Sequence, residues 1–215
     1  MDVLLDNLDV LLRGFWLTVR LLLVSGLVAL VLGVLIAALR VAPVAAMRAV
    51  GTSYVNIIRN TPLLIMFLIL TQGVPVVVEG LSFFTLAVAA LGLYTAAFVG
   101  EAVRSGINAV NVGQAEASRA VGMTFGQTLR LVVLPQAIRS VIPPLASILI
   151  ALTKNTSIAS AFGLVEATGV LDNLGRDFPG ALFALFLGIA FGYIVIVFVI
   201  ASAAQVLERR LVVLR

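Results

Sequence analysis

Charge-free apolar runs dominate the pattern of this chain. A helix crosses a hydrocarbon core of about 30 Å with roughly 20 predominantly apolar residues. Residues 21–39, 60–78, 80–100 and 178–205 supply four such runs. A fifth, residues 140–153, lies between Arg139 and Lys154 and contains Pro143 and Pro144, so it spans only by continuing through Lys154 to about Ser160. The pattern predicts an all-α membrane protein with five transmembrane helices, the fourth irregular. Ahead of the first run, Asp2, Asp6, Asp9 and Arg13 recur at helical spacing opposite Leu4, Leu5, Leu8, Leu11 and Leu12. Two readings fit residues 2–13 equally: a helix lying flat on the membrane with Trp16 at headgroup level, or a solvated extension of the first span. The acids there replace the basic start of a signal peptide, so the mature chain is expected to begin at this N-terminus.

Basic residues set the orientation. With five spans and the N-terminus outside, the inside segments hold Arg40, Arg48, Arg59, Arg104, Arg119, Arg130, Arg139, Arg209, Arg210 and Arg215, ten of the fourteen basic residues. Arg13, Arg20, Lys154 and Arg176 fall outside or in the membrane. The positive-inside rule thus predicts an outside N-terminus and a cytoplasmic C-terminus, in a multi-pass protein of the cytoplasmic membrane. Residues 1–215 read as a single transmembrane domain, since the longest stretch between spans, residues 101–139, is a cytoplasmic loop too short for a soluble domain. That loop carries helix boundaries. Asn111 can cap a helix from Val112, and Thr124 with Gln127 forms a capping box for another, with Gly122 between them. Phe125, Leu129, Val132 and Val133 share an apolar face, and Pro135 is expected to bend the chain toward the fourth span. A docking elbow is the expectation.

Composition narrows the chemistry. The 62% hydrophobic and 11% charged residues argue against a soluble domain and for a membrane protein. Absence of both cysteine and histidine removes disulfides, thiolate and imidazole metal sites and Ser-His hydrolases. The net charge is only +4 and scattered among apolar runs, which argues against nucleic acid as a partner and leaves membrane lipid. The sole lysine, Lys154, follows Ala151-Leu152-Thr153 and not a glycine-rich loop, so the chain contains no P-loop. An ion-coupled secondary transporter or channel is the alternative class, but the first, second, third and fifth spans hold no acid between their ends. A membrane hydrolase would need Ser157 and Lys154 as a Ser-Lys pair.

One motif is specific. Glu116-Ala117-Ser118, three residues, Gly122, nine residues, then Val132-Val133-Leu134-Pro135 resembles the EAA loop of ATP-binding-cassette importer permeases, with Ser118 and Val132 departing conservatively from its Ala and Ile. Gly113-Gln114-Ala115-Glu116, Arg59-Asn60-Thr61-Pro62-Leu63, Pro143-Pro144-Leu145 and Lys154-Asn155-Thr156-Ser157 extend the resemblance to the polar amino acid branch. Tyr94-Thr95, Arg104-Ser105-Gly106-Ile107-Asn108 and Ala151 through Thr156 are most similar to actinobacterial glutamate permeases. The resemblance implies the type I importer permease fold and a coupling helix over Glu116, Ala117, Ser118, Arg119 and Gly122, with Leu134 and Pro135 completing the motif. It also implies a second permease subunit, identical or homologous, two ATPase subunits that hold ATP and Mg, and an extracytoplasmic amino-acid-binding protein. No cofactor is expected on this chain itself. Small Ala115, Ala117, Ser118 and Ala120 suit close approach of another surface.

Lys154 is the leading candidate for contact with substrate. Fifteen residues beyond Arg139 it lies roughly 22 Å into the fourth helix, where an ionisable group faces protein, water or ligand unless it snorkels. Asn155, Thr156 and Ser157 add uncharged polar groups, and a cation without an adjacent acid favours an anionic substrate, glutamate first. Arg59 is chiefly a topology anchor and secondarily a pathway residue, and Thr61 is the expected N-cap of a second span with Pro62 at its first position. Glu101 and Arg104 are spaced for an ion pair near the cytoplasmic mouth. Gly188 and Gly192 form a small-xxx-small pattern on the last span.

Overall fold

The structure is a computed structural model that describes residues 2–212. Among them there is no strand. The helices are α1 (Asp2–Asp6), α2 (Leu8–Val41), α3 (Ala45–Arg59), α4 (Leu63–Leu68), α5 (Val74–Val77), α6 (Phe83–Asn108), α7 (Val112–Ala120), α8 (Phe125–Gln127), α9 (Leu134–Asn155), α10 (Ala167–Asp177) and α11 (Leu182–Val212). Turns of π-helix, Ile69–Gly73 and Thr128–Val133, join α4 to α5 and α8 to α9, and a 3-10 stretch, Thr156–Phe162, follows α9. Four continuous helical segments are long and apolar enough to cross a membrane: Leu8–Val41, Phe83–Asn108, Phe125–Phe162 and Pro179–Arg210. A fifth crossing exists if the pair Ala45–Arg59 and Leu63–Val77, bent by 101°, counts as one span.

Three expectations change. The second span starts at Leu63, not Asn60, and an amphipathic α3 precedes it with Gly51 and Val55 buried and Arg48, Ser53 and Asn56 exposed. Thr61 is not its N-cap: its hydroxyl donates back to the Ile57 carbonyl at 2.8 Å, and Pro62 takes the cap position without a side-chain bond. Pro135 does not bend a separate loop helix into the fourth span. Residues 125–162 run as one helical segment, because the π turn precedes Pro135 and absorbs its missing donor. Of the 101–139 stretch, then, residues 101–108 finish α6 and residues from Phe125 onward begin the fourth span. Pro143 and Pro144 lie inside α9.

Residues 8–13 settle as an extension of the first span. At 34 residues α2 is about 50 Å long and overshoots the bilayer. Its projecting end is anchored on one face: Leu11 is buried against Ala167, Val170 and Leu174 of α10 and Leu185 and Ile189 of α11, while Leu8, Val10 and Leu12 remain exposed. Gly188 and Gly192 serve the same local contact, since Leu4 and Phe15 occupy the space their side chains would fill.

The keel is the α2–α6 pair. Hydrocarbon chains are as apolar as leucine, so helices in a bilayer associate through close packing and hydrogen bonds rather than by exclusion from water. Ala29, Ala37, Ala90, Ala96 and Ala97 are buried in this interface or beside it, and Val28 of α2 lies 2.7 Å from where a Cβ on Gly92 would sit. Around it, Leu21, Leu22, Leu63, Phe67, Ala87, Leu91 and Leu152 make one core, with Phe67 stacked on Phe162 at 5.2 Å. α9 joins the keel through Gly106 of α6, whose missing Cβ leaves room for Val141. Gly106→Ala should therefore cost about 1–3 kcal/mol, and Val141→Ala in the same chain should recover most of it. Thermal melting in detergent checks this; a Gly106→Ala chain as stable as wild type would show that α6 and α9 are not in contact there.

Candidate functional site

The exposed faces of the long helices differ in chemistry. On α2, Leu23, Leu27 and Val31 are exposed, and on α11 Phe183, Phe186, Phe191 and Phe198 are, as suits lipid. On α9, beyond Leu134 and Ile138 near its start, the exposed residues are Ser140, Pro143, Pro144, Ser147, Ala151 and Lys154. Small and polar side chains in an otherwise apolar helix mark a face turned to water or to another protein. Two cavities, of about 350 and 300 Å³, run along this face between α6 and α9 and share Phe98 and Ile148. The first is lined by Arg59, Glu101, Ser105 and Ser140, the second by Tyr94, Thr95, Ser147, Ala151 and Asn155. Together they form a groove from the end of α9 to the Arg59 end of α3.

That end carries the charges. Arg40 of α2 and Arg104 each donate to one carboxylate oxygen of Glu101. The expected Glu101–Arg104 pair is present, and Arg40, from a helix 61 positions earlier, joins it. Arg59 places its guanidinium 5.5 Å from the Phe98 ring centroid, where the two cavities meet.

Lys154 and Asn155 turn apart at the other end. Asn155 enters the α6–α9 groove, whereas Lys154, exposed on the polar stripe, borders a third pocket of about 260 Å³ with Ser157, Thr168, Leu171, Phe186 and Tyr193. Thr156 is fully buried and its hydroxyl donates to the Thr153 carbonyl at 2.6 Å, so it is a structural residue of the helix end. Ser157 donates to the Lys154 carbonyl at 2.7 Å and keeps its oxygen toward the pocket.

Sequence reasoning missed Glu166. It is completely buried. Its Oε1 caps α10 by accepting from the Thr168 and Gly169 amides at 2.8 and 3.2 Å, and its Oε2 accepts from Thr18 at 3.0 Å and Tyr193 at 2.7 Å. Burial pushes the Glu166 carboxyl above its ordinary range, and these four donors pull it back. A local signal existed in Glu166-Ala167-Thr168-Gly169, an acid where a helix starts; its distant partners were invisible.

The elbow forms at α7. Asn111 caps it, accepting from the Gly113 amide at 2.8 Å, and both bonds of the Thr124–Gln127 capping box are made. Gly122 has φ +87°, a left-handed turn that a side chain would strain. Ser118 is buried and lies 2.9 Å from Thr128 Oγ1, which pins α7 to the start of the fourth span. Glu116, Ala117, Arg119 and Gly122 remain exposed beside Val112, Val121 and Phe125, each at least 70% exposed. Leu134 is also exposed and Pro135 half-buried.

Residues 29–213 match the family described as the binding-protein-dependent transport system inner membrane component. The chain belongs to that family. It is a permease subunit of the inner membrane, without an ATPase site of its own. It is 39% identical, over 94% of each chain, to the glutamate transport system permease protein GluC of Corynebacterium glutamicum. To GluC of Corynebacterium efficiens it is 40% identical over 86% of this chain and 87% of that one. Among solved structures, the crystal structure of an amino acid ABC transporter with histidines superposes with a TM-score of 0.89, covering 96% of each chain at 29% identity.

In this permease, which has no native cysteine, single cysteines at Ser147 and Ala151 should react with a water-soluble maleimide in membranes at least ~10-fold faster than cysteines at Leu27 and Phe191. Equal labelling of all four would mean that the α9 stripe does not face water.

Proposed function

We propose that this chain is the membrane-spanning subunit of an ATP-driven importer of polar amino acids, with glutamate as substrate. The observation that carries the proposal is the polar stripe of α9 ending at Lys154 and Asn155, in a chain alike over nearly its whole length to two glutamate permeases. Two permeases, identical or homologous, assemble with two ATPase subunits, which hold ATP and Mg. A binding protein outside delivers the amino acid. The N-terminus is outside and the C-terminus cytoplasmic. This orientation is supported by Arg40, Arg59 and Arg104 gathering at the end of the bundle from which the α7 elbow continues.

Substrate passes along the α6–α9 groove. Lys154 and Ser157, which line a separate pocket beside the head of the groove, attract a carboxylate of the substrate and offer it a hydroxyl before it enters, Asn155 offers an uncharged polar contact within the groove, and Arg59 lies further down. Lys154→Gln should lower glutamate uptake by reconstituted complexes about tenfold, the equivalent of ~1.4 kcal/mol of a charge pair weakened by solvent. Lys154→Arg should retain more, since the charge survives. The wild-type complex should accumulate glutamate with ATP, stop with vanadate and tolerate an uncoupler. Uptake that follows an ion gradient instead, or wild-type uptake by Lys154→Gln at matched expression, contradicts the proposal.

The exposed part of the elbow, Glu116, Ala117, Arg119 and Gly122 with Val112, Val121 and Phe125, seats on the ATPase, while Ser118, Leu134 and Pro135 fix its position. Space around Gly122 is open, so Gly122→Asp acts through backbone strain of ~1–2 kcal/mol in the turn and through a new charge at the docked surface. Such a chain should still reach the membrane but lose substrate-stimulated ATP hydrolysis. Wild-type stimulation would remove the elbow from the coupling path.

A further inference from the structure

Two apolar recesses lie side by side on the part of α9 that does not carry its polar stripe. One, of about 350 Å³, runs between α9 and α11 over Leu30 of α2, with Ile142 and Ala146 on one wall and Ala203, Ala204 and Leu207 on the other. The second, of about 320 Å³, runs between α9 and α6 over Val34, one turn further along α2. Ile142 and Leu145 line both and form the ridge between them. Every lining side chain is apolar. The earlier part of α11 carries exposed phenylalanines, whereas alanine stands at positions 203 and 204, and these small side chains leave the first recess open.

Charge gathers at one end. Arg139 precedes Ile142 and Ala146 by three and seven residues, and Arg210 follows Leu207 and Ala203 by three and seven, so each arginine extends a row of recess residues by one helical turn. Arg139 is half-buried, Arg210 is exposed, and neither pairs with an acid among the described residues. Glu208 stands two positions before Arg210 and is therefore about 200° round the helix from it. An apolar recess in a bilayer fills with hydrocarbon, but an acyl chain gains nothing by leaving one apolar medium for another. Preference for one lipid must come from its head group. Two guanidinium groups at the interface suit a phosphate, whose oxygens accept from both, and an ammonium on the same head group offsets that attraction. A second copy of this chain seated here by two-fold symmetry brings the arginines against their own counterparts. We infer that the two recesses hold the acyl chains of an anionic phospholipid, its phosphate on Arg139 and Arg210. It ties the start of the fourth span to the end of the last. The orientation proposed above puts this lipid in the inner leaflet; its binding depends on neither that orientation nor the substrate.

Quenching of tryptophan fluorescence by brominated lipid measures which lipid lies at a chosen position. The sole native tryptophan, Trp16, is replaced by Phe, and a reporter is added as Leu207→Trp in the recess or as Phe198→Trp, nine residues earlier and on the opposite side of α11. Each full-length chain is reconstituted in phosphatidylcholine containing brominated phosphatidylglycerol or brominated phosphatidylcholine. At Leu207→Trp phosphatidylglycerol should be preferred about tenfold, and at Phe198→Trp by less than about twofold. Arg139→Gln together with Arg210→Gln should bring the preference at Leu207→Trp down to that at Phe198→Trp. Ala203→Phe, which fills the recess and keeps both charges, should lower it as well. Equal quenching by the two lipids at Leu207→Trp, a preference that survives the loss of both arginines or the filling of the recess, or quenching by neither lipid because protein covers the site, overturns the inference. Bromine in either leaflet quenches, so the result stands apart from the orientation and from the proposed transport.

Discussion

Close packing without hydrophobic drive is the constraint on which this fold depends. Inside a bilayer a helix gains nothing by hiding leucine from hydrocarbon, so contact must come from surfaces that fit. Alanine and glycine along α2 and α6 provide one such surface, and it fixes the two helices that carry Arg40 and Glu101. That ion pair then forms between rigid partners in a setting where an unpaired charge is costly. α9 is held against the keel through Gly106, and the adjoining face that carries the polar stripe is left free.

The free face explains why the rest is arranged as it is. A lipid-facing helix would carry leucine or phenylalanine where α9 has Ser140, Ser147, Ala151 and Lys154. Arg59, bent away on α3, closes one end of the groove beside Phe98, and Asn155 stands at the other. At that second end, the long α2 supplies Thr18 and α11 supplies Tyr193 to a single buried acid at the start of α10. Glu166 thus ties three helices around the point where the amino acid is proposed to enter.

Much of this was legible in the sequence, and the omissions have physical causes. The runs over α2, α6 and α11 announce themselves because lipid imposes length and composition, and the Asn111 and Thr124 caps because their signals lie within three residues of the bonds they make. α3 escaped notice because Arg48, Ser53 and Asn56 interrupt its apolar residues, although Gly51 and Val55 recur at helical spacing. Pro135 misled because a proline is judged as a helix stop, and only the backbone reveals a π turn ahead of it. Ser118 looked like part of a docking surface, yet it is buried against Thr128. Glu166 was hidden most deeply, since Thr18 and Tyr193 lie 148 and 27 positions away. Conversely, the side-by-side letters Lys154 and Asn155 suggested one site, while helical rotation sends them to different pockets.

The central claim is that the stripe on α9 is the surface along which the substrate moves. Substrate protection tests it most directly: a cysteine at Ser147 is modified in the assembled importer during turnover, with and without saturating glutamate and its binding protein. Glutamate should slow modification at Ser147 while leaving a cysteine just beyond α7, at Val121, unaffected. Unchanged modification of Ser147 during demonstrable glutamate transport would place the path elsewhere.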